Sequence, residues 1–169
     1  MIRQLYLVRH AEAVEKKNYQ ADKDRELTPV GVEQSFQLGA YFVRENIPVD
    51  MIICSTAERA RQTATYTSDI LKLDMSKIIF DDEIYDASVR TLFQFITRLD
   101  NSFQYVMCVG HNPTISYLAE YLTKAEIGDM VPASIVGMRF NISSWNEISQ
   151  GTGELLYHVR PEASAKKSS

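Results

Sequence analysis

The chain alternates short apolar runs with amphipathic helical patterns, and this alternation constrains its fold more than any other feature. Four runs rich in Leu, Ile, Val and aromatic side chains lack a polar face, which is typical of strands covered on both sides. Strands that alternate with helices predict an α/β fold, a three-layer sandwich with a largely parallel central sheet and helices on both faces. The four runs are residues 4–8, 51–54, 78–80 and 104–109.

Helical patterns fill the segments between these runs. Thr28 before Pro29 and Asn112 before Pro113 each place a capping side chain ahead of a proline, so helices are predicted to begin at both prolines. The segment 55–58, Ser-Thr-Ala-Glu, predicts a capping box at the start of another helix. Apolar stripes with helical spacing lie in residues 32–47, 60–71, 92–99 and 115–122.

The C-terminal part has a different pattern. Two β-rich runs, 135–142 and 154–159, flank a turn-rich segment, which predicts two antiparallel strands at an edge of the sheet. Residues 1–161 are therefore predicted to form a single domain, because one domain typically has about 100–200 residues. Residues 162–169 are small and polar, and we expect them to form a disordered tail.

The composition limits the partners of the protein. Hydrophobic residues make up 45% and charged residues 24% of the 169 residues, as in globular domains. A net charge of −4 argues against a general nucleic-acid binder, so any anion site must be a local positive pocket. Because no apolar run approaches the ~18 residues of a membrane span, we expect a cytoplasmic protein without a membrane partner. Cys54 and Cys108 lie in apolar runs and are expected to be buried free thiols.

Three of the predicted strands end in residues suited to anion binding. The run 4–8 is followed by Arg9 and His10. The run 51–54 is followed by Ser55 and a helix whose first turn carries Arg59, and the run 104–109 by a turn with His111. The carboxyl ends of parallel strands meet at one edge of the sheet, where ligands bind. A cation such as Arg59 opposes the helix dipole unless an anion is bound there. The sequence therefore predicts an anion site at this edge.

The same residue types can transfer a phosphoryl group. A neutral imidazole is a competent nucleophile toward phosphorus and gives a covalent phosphohistidine intermediate. Guanidinium groups bind phosphate oxygens in pairs and neutralise their charge. Nearby arginines also lower the pKa of the nucleophilic imidazole, which keeps it unprotonated at neutral pH.

Four segments resemble, in order, the motifs of the histidine phosphatase (phosphoglycerate mutase-like) superfamily. They are residues 7–12 (LVRHAE), 27–31 (LTPVG), 55–64 (STAERARQTA) and 109–112 (VGHN). The short chain, the Ala-Ser-Ile element at 133–135 and the terminal strands are similar to the phosphohistidine phosphatase SixA branch. The resemblance implies that His10 is the phosphorylated nucleophile, that Arg9 and Arg59 bind the phosphoryl oxygens, and that His111 donates a further hydrogen bond. It implies no metal ion and no other cofactor.

The sequence departs from the family motifs at two places. Ala11 stands where the family usually has a glycine after Arg-His, and it is tolerated if its backbone φ is not positive. Glu83 lies near the position of the catalytic glutamate of mutase-type members, but in a different sequence context, and Asp86 is a weaker candidate acid. Since an alkoxide leaving group needs such an acid and a nitrogen leaving group carries its own proton, a poor acid favours substrates with a P–N bond.

The predicted function is a metal-independent phosphatase that acts through phosphorylated His10, with phosphohistidine in proteins as its substrate. Its expected partners are a phosphorylated protein or small phosphorylated molecule, with phosphate or another oxyanion in the pocket and no nucleic acid. Three alternatives remain open: a regulator that binds a phosphorylated ligand without turnover, a small-molecule phosphomonoesterase or mutase of the same family, and a serine hydrolase with Ser55 as nucleophile. The last lacks the G-x-S-x-G motif around its serine.

Overall fold

A six-stranded sheet forms the centre of the structure, and the computed structural model describes residues 1–162 of the chain. The strand order across the sheet is β3-β2-β4-β1-β5-β6, so consecutive strands are separated by crossovers in the first part of the chain. The strands are β1 (Ile2–Arg9), β2 (Met51–Ser55), β3 (Ile78–Asp81), β4 (Tyr105–Gly110), β5 (Ile135–Asn141) and β6 (Glu154–Val159).

The first four strands are parallel and the last two form an antiparallel edge. β2 pairs in parallel with β3 and β4, and β4 pairs in parallel with β1. β5 runs antiparallel to β1, and β6 runs antiparallel to β5 at the edge of the sheet. The predicted largely parallel sheet with an antiparallel C-terminal edge is confirmed, because the four parallel strands are the four apolar runs of the sequence.

Helices cover both faces of the sheet. α1 and α2 pack on one face, where β1 contributes Tyr6 and Val8 to the core. α4 and α5 pack on the other face, where β1 contributes Leu5 and Leu7. This alternation along one strand explains why the run has no polar face. The helices are α1 (Pro29–Arg44), α2 (Glu58–Leu71), α3 (Asp82–Tyr85), α4 (Val89–Thr97) and α5 (Thr114–Thr123).

The start of α1 agrees with the sequence prediction and is held against the chain that follows β1. The Thr28 hydroxyl oxygen accepts a hydrogen bond from the backbone N–H of Gly31, with Pro29 as the first helical residue. Gly31 packs against the Glu12 backbone so closely that a Cβ atom would lie 2.0 Å from the Glu12 carbonyl oxygen. The glycine is therefore required by close approach of two backbones.

Two predicted helix starts are wrong. The side chains expected to cap these helices, Ser55 and Asn112, instead bind His111 and Met130, which lie far along the chain. α2 begins at Glu58 with Ala57 as its N-cap, and Ser55 is the last residue of β2. α5 begins at Thr114, one residue after Pro113. The Asn112 side chain donates to the Met130 carbonyl oxygen and accepts from the Ser116 hydroxyl.

The remaining chain-level predictions concern the membrane and the C-terminus. Within residues 1–162, no helix has both the length and the apolar character needed to cross a bilayer. Glu162 has no regular secondary structure, and the rest of the predicted tail lies outside the described residues.

Candidate active site

The carboxyl ends of β1, β2 and β4 bring the predicted site residues together. Arg9 is the last residue of β1 and pairs in register with Gly110, the last residue of β4. His10 follows Arg9, and its backbone N–H donates to the Gly110 carbonyl oxygen at 3.1 Å. His111 follows Gly110, so the two histidines leave adjacent parallel strands side by side. Their ring centroids lie 5.2 Å apart.

The tautomer of His10 follows from its hydrogen bond. Its Nδ1 atom lies 2.7 Å from the carbonyl oxygen of Ala11. A carbonyl oxygen only accepts, so Nδ1 carries the proton and Nε2 has a free lone pair. No described residue forms a hydrogen bond with Nε2, and the residue is buried at 7% exposure. His10 is therefore a neutral, buried imidazole with one nitrogen available as a nucleophile.

The surroundings keep His10 unprotonated. Burial lowers its pKa from the ordinary value near 6.5 to about 3, although the hydrogen bond to Ala11 acts in the opposite direction. His111, Arg59 and Arg9 also contribute to this low pKa, because each disfavours a positive charge on the ring. The nucleophilic form is thus the only populated form at neutral pH.

The tautomer of His111 follows from two neighbours. The Arg59 Nη2 atom lies 3.5 Å from His111 Nδ1, and a guanidinium can only donate, so Nδ1 is an acceptor. The other nitrogen, Nε2, therefore carries the proton and donates to the Ser55 hydroxyl oxygen at 2.7 Å. Ser55 also accepts from the backbone N–H of Ala57 at 3.1 Å. Burial first, then Arg59, lowers the pKa of His111 to about 4, whereas the charge of Asp22 acts to raise it.

Arg59 provides a buried positive charge beside His111. It lies in the first turn of α2, as the sequence predicts, and is 6% exposed. Its Nη1 atom donates to the backbone carbonyl oxygen of Asp22 at 2.9 Å, and its Nη2 atom donates to the Asp22 carboxylate at 3.1 Å. These contacts hold the guanidinium in place, and its ion-pair partner, the Asp22 carboxylate, is itself partly exposed to solvent.

Arg9 adds a second positive charge. Its Nη1 atom donates to the Met130 carbonyl oxygen at 2.8 Å, while its Nε atom is buried and has no partner among the described residues. Its charge lowers the pKa of both His10 and His111. Two guanidiniums therefore act on the same two neutral imidazoles, an arrangement that can bind a phosphoryl group.

Two residues of this cluster, Asp22 and Tyr85, are not predicted by the sequence. The Tyr85 hydroxyl donates to the Asp22 carboxylate at 2.8 Å, and its ring lies edge-on to the ring of His111 with centroids 5.7 Å apart. Asp22 lies in a 3-10 helix, Asp22–Asp24, in the connection between β1 and α1. Neither position has a periodic pattern or a motif that could have assigned it. The contact of Ser55 with His111 could be predicted from the sequence, because both residues follow predicted strands that end at the same edge of the sheet.

Comparison with known proteins assigns the family. Residues 5–89 match the model of the histidine phosphatase superfamily, branch 1. The chain belongs to this superfamily. It is a phosphatase and is SixA-like, in agreement with the four motifs that the sequence carries.

Relatives of this histidine phosphatase match over most of the chain. It is 31% identical over 163 residues to Rv1276c, an uncharacterised Mycobacterium tuberculosis protein, covering 90% of this chain and 99% of the relative. It is 23% identical over 134 residues to the phosphohistidine phosphatase SixA of Escherichia coli, covering 79% of this chain and 82% of the relative.

Solved structures have the same fold. A structure described as a SixA phosphohistidine phosphatase from Nakamurella multipartitia has a TM-score of 0.80 at 27% identity, covering 96% of this chain and 98% of that chain. A protein histidine phosphatase SixA solved in complex with tungstate has a TM-score of 0.79 at 22% identity, covering 94% and 97% of the two chains.

In this histidine phosphatase, Ala11 replaces the family glycine without strain. Ala11 is not among the described residues with positive φ, and its side chain is fully buried. Its backbone N–H donates to the Thr63 hydroxyl at 3.0 Å. The methyl group is accommodated because the backbone conformation at this position is open to any residue.

The candidate acid Glu83 does not join the cluster. Its carboxylate forms an ion pair with Arg98 at 2.9 Å, on an exposed part of the surface. None of its described contacts is with His10 or Arg59. Asp86 is exposed as well, at the end of α3. Within residues 1–162, no three His, Cys, Asp or Glu side chains are grouped to hold a metal ion.

Proposed function

We propose that this histidine phosphatase removes the phosphoryl group from phosphohistidine in proteins, through covalently phosphorylated His10 and without a metal ion. The observation that carries the proposal is the free Nε2 lone pair of His10, buried beside the guanidiniums of Arg9 and Arg59. A site that only bound a phosphorylated ligand would have no need of an unprotonated nitrogen at its floor.

In the first step, the Nε2 lone pair of His10 forms a bond to phosphorus as the bond to the leaving group breaks. Arg9 and Arg59 stabilise the charge on the three phosphoryl oxygens. The negative phosphoryl group also raises the pKa of His111, so that Nδ1 takes up a proton and donates to one of these oxygens. In the second step, the oxygen of a water molecule forms a bond to phosphorus as the P–Nε2 bond breaks, His10 leaves as the neutral imidazole with its Nδ1 proton, and the released phosphate keeps the protons of the water.

The surroundings of the site favour a nitrogen leaving group. An alkoxide needs a proton from a well-placed acid, which typically contributes about 10²- to 10⁴-fold to the rate. Glu83 is bound to Arg98 on the surface. Burial would raise the pKa of Asp22, but hydrogen bonds from Tyr85 and the Arg59 charge outweigh it and lower the pKa to about 2. Phosphohistidine needs neither acid, because its imidazole is protonated before it leaves.

The tautomer of His111 argues against Ser55 as a serine nucleophile, despite the 2.7 Å contact between them. A general base needs a free lone pair on the nitrogen that faces the serine hydroxyl. Here that nitrogen carries the proton, because Arg59 donates to the other one. A catalytic triad would instead place a carboxylate beside that second nitrogen. Ser55 therefore orients His111.

Steady-state kinetics test the proposal. Wild-type protein, His10→Gln and His158→Gln are assayed with a peptide that carries phosphohistidine, with and without EDTA. His158 is the matched control, because it is a half-buried histidine in β6, away from the site. We expect EDTA-resistant turnover by the wild type and His158→Gln, and a loss of at least about 10³-fold in His10→Gln. Turnover by His10→Gln at the wild-type rate, or its abolition by EDTA, would overturn the proposal.

A further inference from the structure

The Asp22 carboxylate is the one acidic group in direct contact with the site residues among residues 1–162. One of its oxygens accepts from Arg59 Nη2 at 3.1 Å and from the Tyr85 hydroxyl at 2.8 Å. The other accepts from Arg25 Nη1 at 3.0 Å. An anion site has no need of a carboxylate for binding phosphate, since the two negative groups repel each other. Phosphate binding therefore does not explain why a carboxylate lies here.

Asp22 lies at the solvent side of the site. Its side chain is 37% exposed, whereas that of Arg59, to which it is bound, is 8% exposed, and His10 is 7% exposed. Attack by His10 on phosphorus requires the leaving group on the opposite side, roughly in line. The leaving group of a protein substrate must also point outward, because it is attached to the protein. The Asp22 carboxylate, half-exposed and bound to the same Arg59 Nη2 atom that contacts His111, therefore borders the side of the site that is open to a leaving group.

Asp22 keeps its negative charge and has no proton to give at neutral pH, since its pKa is about 2. Two arginines, Arg59 and Arg25, balance this charge in the free protein. When a phosphoryl group binds Arg59, the positive charge of the guanidinium interacts with both the phosphoryl group and the Asp22 carboxylate. The Asp22 carboxylate is then less compensated and attracts a cation more strongly than it does in the free protein.

We propose that Asp22 is a specificity-determining residue, which favours substrates whose leaving nitrogen belongs to a protonated, cationic group and disfavours phosphate esters. This inference rests on the proposed function and goes beyond it, because it names the side chain that selects substrates by the charge of their leaving group. The class of substrate is a phosphoramidate with a protonated nitrogen group, of which a phosphorylated imidazole is one member.

The charges balance for such a substrate. The phosphorylated imidazole reacts with its second ring nitrogen protonated, so the ring is positive while the P–N bond is intact. The lone pair of His10 forms the new bond, and the electrons of the broken P–N bond remain on the leaving nitrogen. The imidazole leaves as a neutral molecule with its own proton. A carboxylate that accepts a hydrogen bond from that N–H stabilises the reactive, protonated form.

A phosphate ester meets the opposite situation. Negative charge develops on its leaving oxygen, next to a carboxylate that repels this charge and cannot supply a proton. Asp22 therefore acts in both directions, in favour of a cationic leaving group and against an anionic one.

The experiment compares two small substrates of similar size, N-phosphoimidazole and phenyl phosphate, in wild-type protein, Asp22→Asn and Asp82→Asn. Asparagine keeps an oxygen that accepts from Arg59 and Tyr85 but removes the charge. Asp82 is the matched control, because it is an exposed aspartate nearby that is bonded to Lys23 and Thr56 and not to Arg59.

We expect Asp22→Asn to lower kcat/KM for N-phosphoimidazole relative to phenyl phosphate by about tenfold, as for loss of one charge-assisted hydrogen bond. The control should keep the wild-type ratio. Inhibition by inorganic phosphate should be as strong or stronger in Asp22→Asn, because a negative charge has been removed. If both substrates and phosphate weaken together, Asp22 only positions Arg59 and the inference is wrong; an unchanged ratio also overturns it.

A measurement on the wild type alone guards against misfolding of the variant. The preference for N-phosphoimidazole should decrease as chloride rises from about 20 to about 500 mM, because salt screens a partly exposed charge. Competition of chloride for the phosphate pocket affects both substrates and cancels in the ratio. A salt-independent preference would contradict the role of Asp22. The proposed function fails separately, if the wild type does not turn over N-phosphoimidazole through His10.

Discussion

At the scale of single residues, hydrogen bonds fix which ring nitrogen carries a proton in each of the two histidines. The Ala11 carbonyl places the proton of His10 on Nδ1 and so frees Nε2. Arg59 and Ser55 together place the proton of His111 on Nε2 and leave Nδ1 able to accept one. The two neighbouring rings therefore have different chemistry, although the side chains are identical.

Removal of the Ser55 hydroxyl tests this assignment. Ser55→Ala leaves the buried N–H of His111 without its acceptor, so we expect kcat to fall by about 10- to 100-fold, as for other orienting partners. KM should change little, because Arg9 and Arg59 are untouched. Ser35→Ala is the control, since it removes another fully buried hydroxyl, bonded within α1 to the Gly31 carbonyl. It should keep kcat and lose only stability; a wild-type kcat in Ser55→Ala contradicts the assignment.

At the scale of elements, helix starts were predictable where the cap is local. Thr28 and Pro29 mark the start of α1 because the N–H that the Thr28 side chain caps, that of Gly31, lies only three residues along the chain. The starts of α2 and α5 were misplaced, since the side chains of Ser55 and Asn112 bind residues far along the chain. A single sequence contains no record of such distant partners.

The contact between α1 and the chain after His10 gives a prediction at this scale. In Gly31→Ala, the new Cβ atom meets the Glu12 carbonyl oxygen and must displace it. We expect a loss of about 1–3 kcal/mol in the free energy of unfolding, measured in urea, together with a lower kcat because the segment after His10 moves.

The matched control lies in the same helix. In Gly39→Ala the new methyl group meets Ile70 of α2, away from the site. It should cost a similar amount of stability and leave kcat of the folded protein unchanged. Equal effects of both variants on kcat would show that Gly31 has no special link to His10.

At the scale of the whole molecule, the fold keeps an uncharged histidine buried. The pKa of His10 is about 3 in the folded protein, against an ordinary value near 6.5, chiefly because of burial. Below this ordinary value, the unfolded chain binds a proton that the folded protein does not. The stabilising contribution is therefore complete above about pH 6.5 and decreases as the pH falls toward the folded value.

Urea unfolding near pH 7 and near pH 5, in buffers without phosphate or sulfate, measures this contribution. We expect His10→Gln to lose less stability than the wild type between these two pH values, by about 2 kcal/mol. His158→Gln should change the difference less, because His158 is only half-buried. An identical pH dependence for wild type and His10→Gln would mean that His10 is protonated in the folded protein.

Anion binding should also stabilise the whole molecule. Inorganic phosphate or tungstate should raise the melting temperature of the wild type, since a ligand that binds only the folded state stabilises it by mass action. Arg59→Ala should remove most of this increase, whereas Arg44→Ala, at the exposed end of α1, should not. Equal increases in both variants would place the anion elsewhere.

Most of the sheet and the centre of the site could be predicted from the sequence. The apolar runs define β1 to β4, and the rule that parallel strands end at one edge brings Arg9, His10 and His111 together. Asp22 and Tyr85 could not be predicted, because they come from a connecting segment and a short helix whose placement depends on tertiary contacts. Glu83 lies near the position of the catalytic glutamate of mutase-type members in the sequence, but in the structure its carboxylate pairs with Arg98 on the surface.

The most direct test of covalent catalysis is to trap and map the phosphorylated residue. Wild-type protein is mixed with a radiolabelled phosphoramidate, quenched within milliseconds in alkali and digested for mass spectrometry. We predict an alkali-stable, acid-labile phosphoryl group on His10, absent from His10→Gln and present in Ser55→Ala. A label on Ser55, stable to acid, or turnover without any label on His10, would contradict the account.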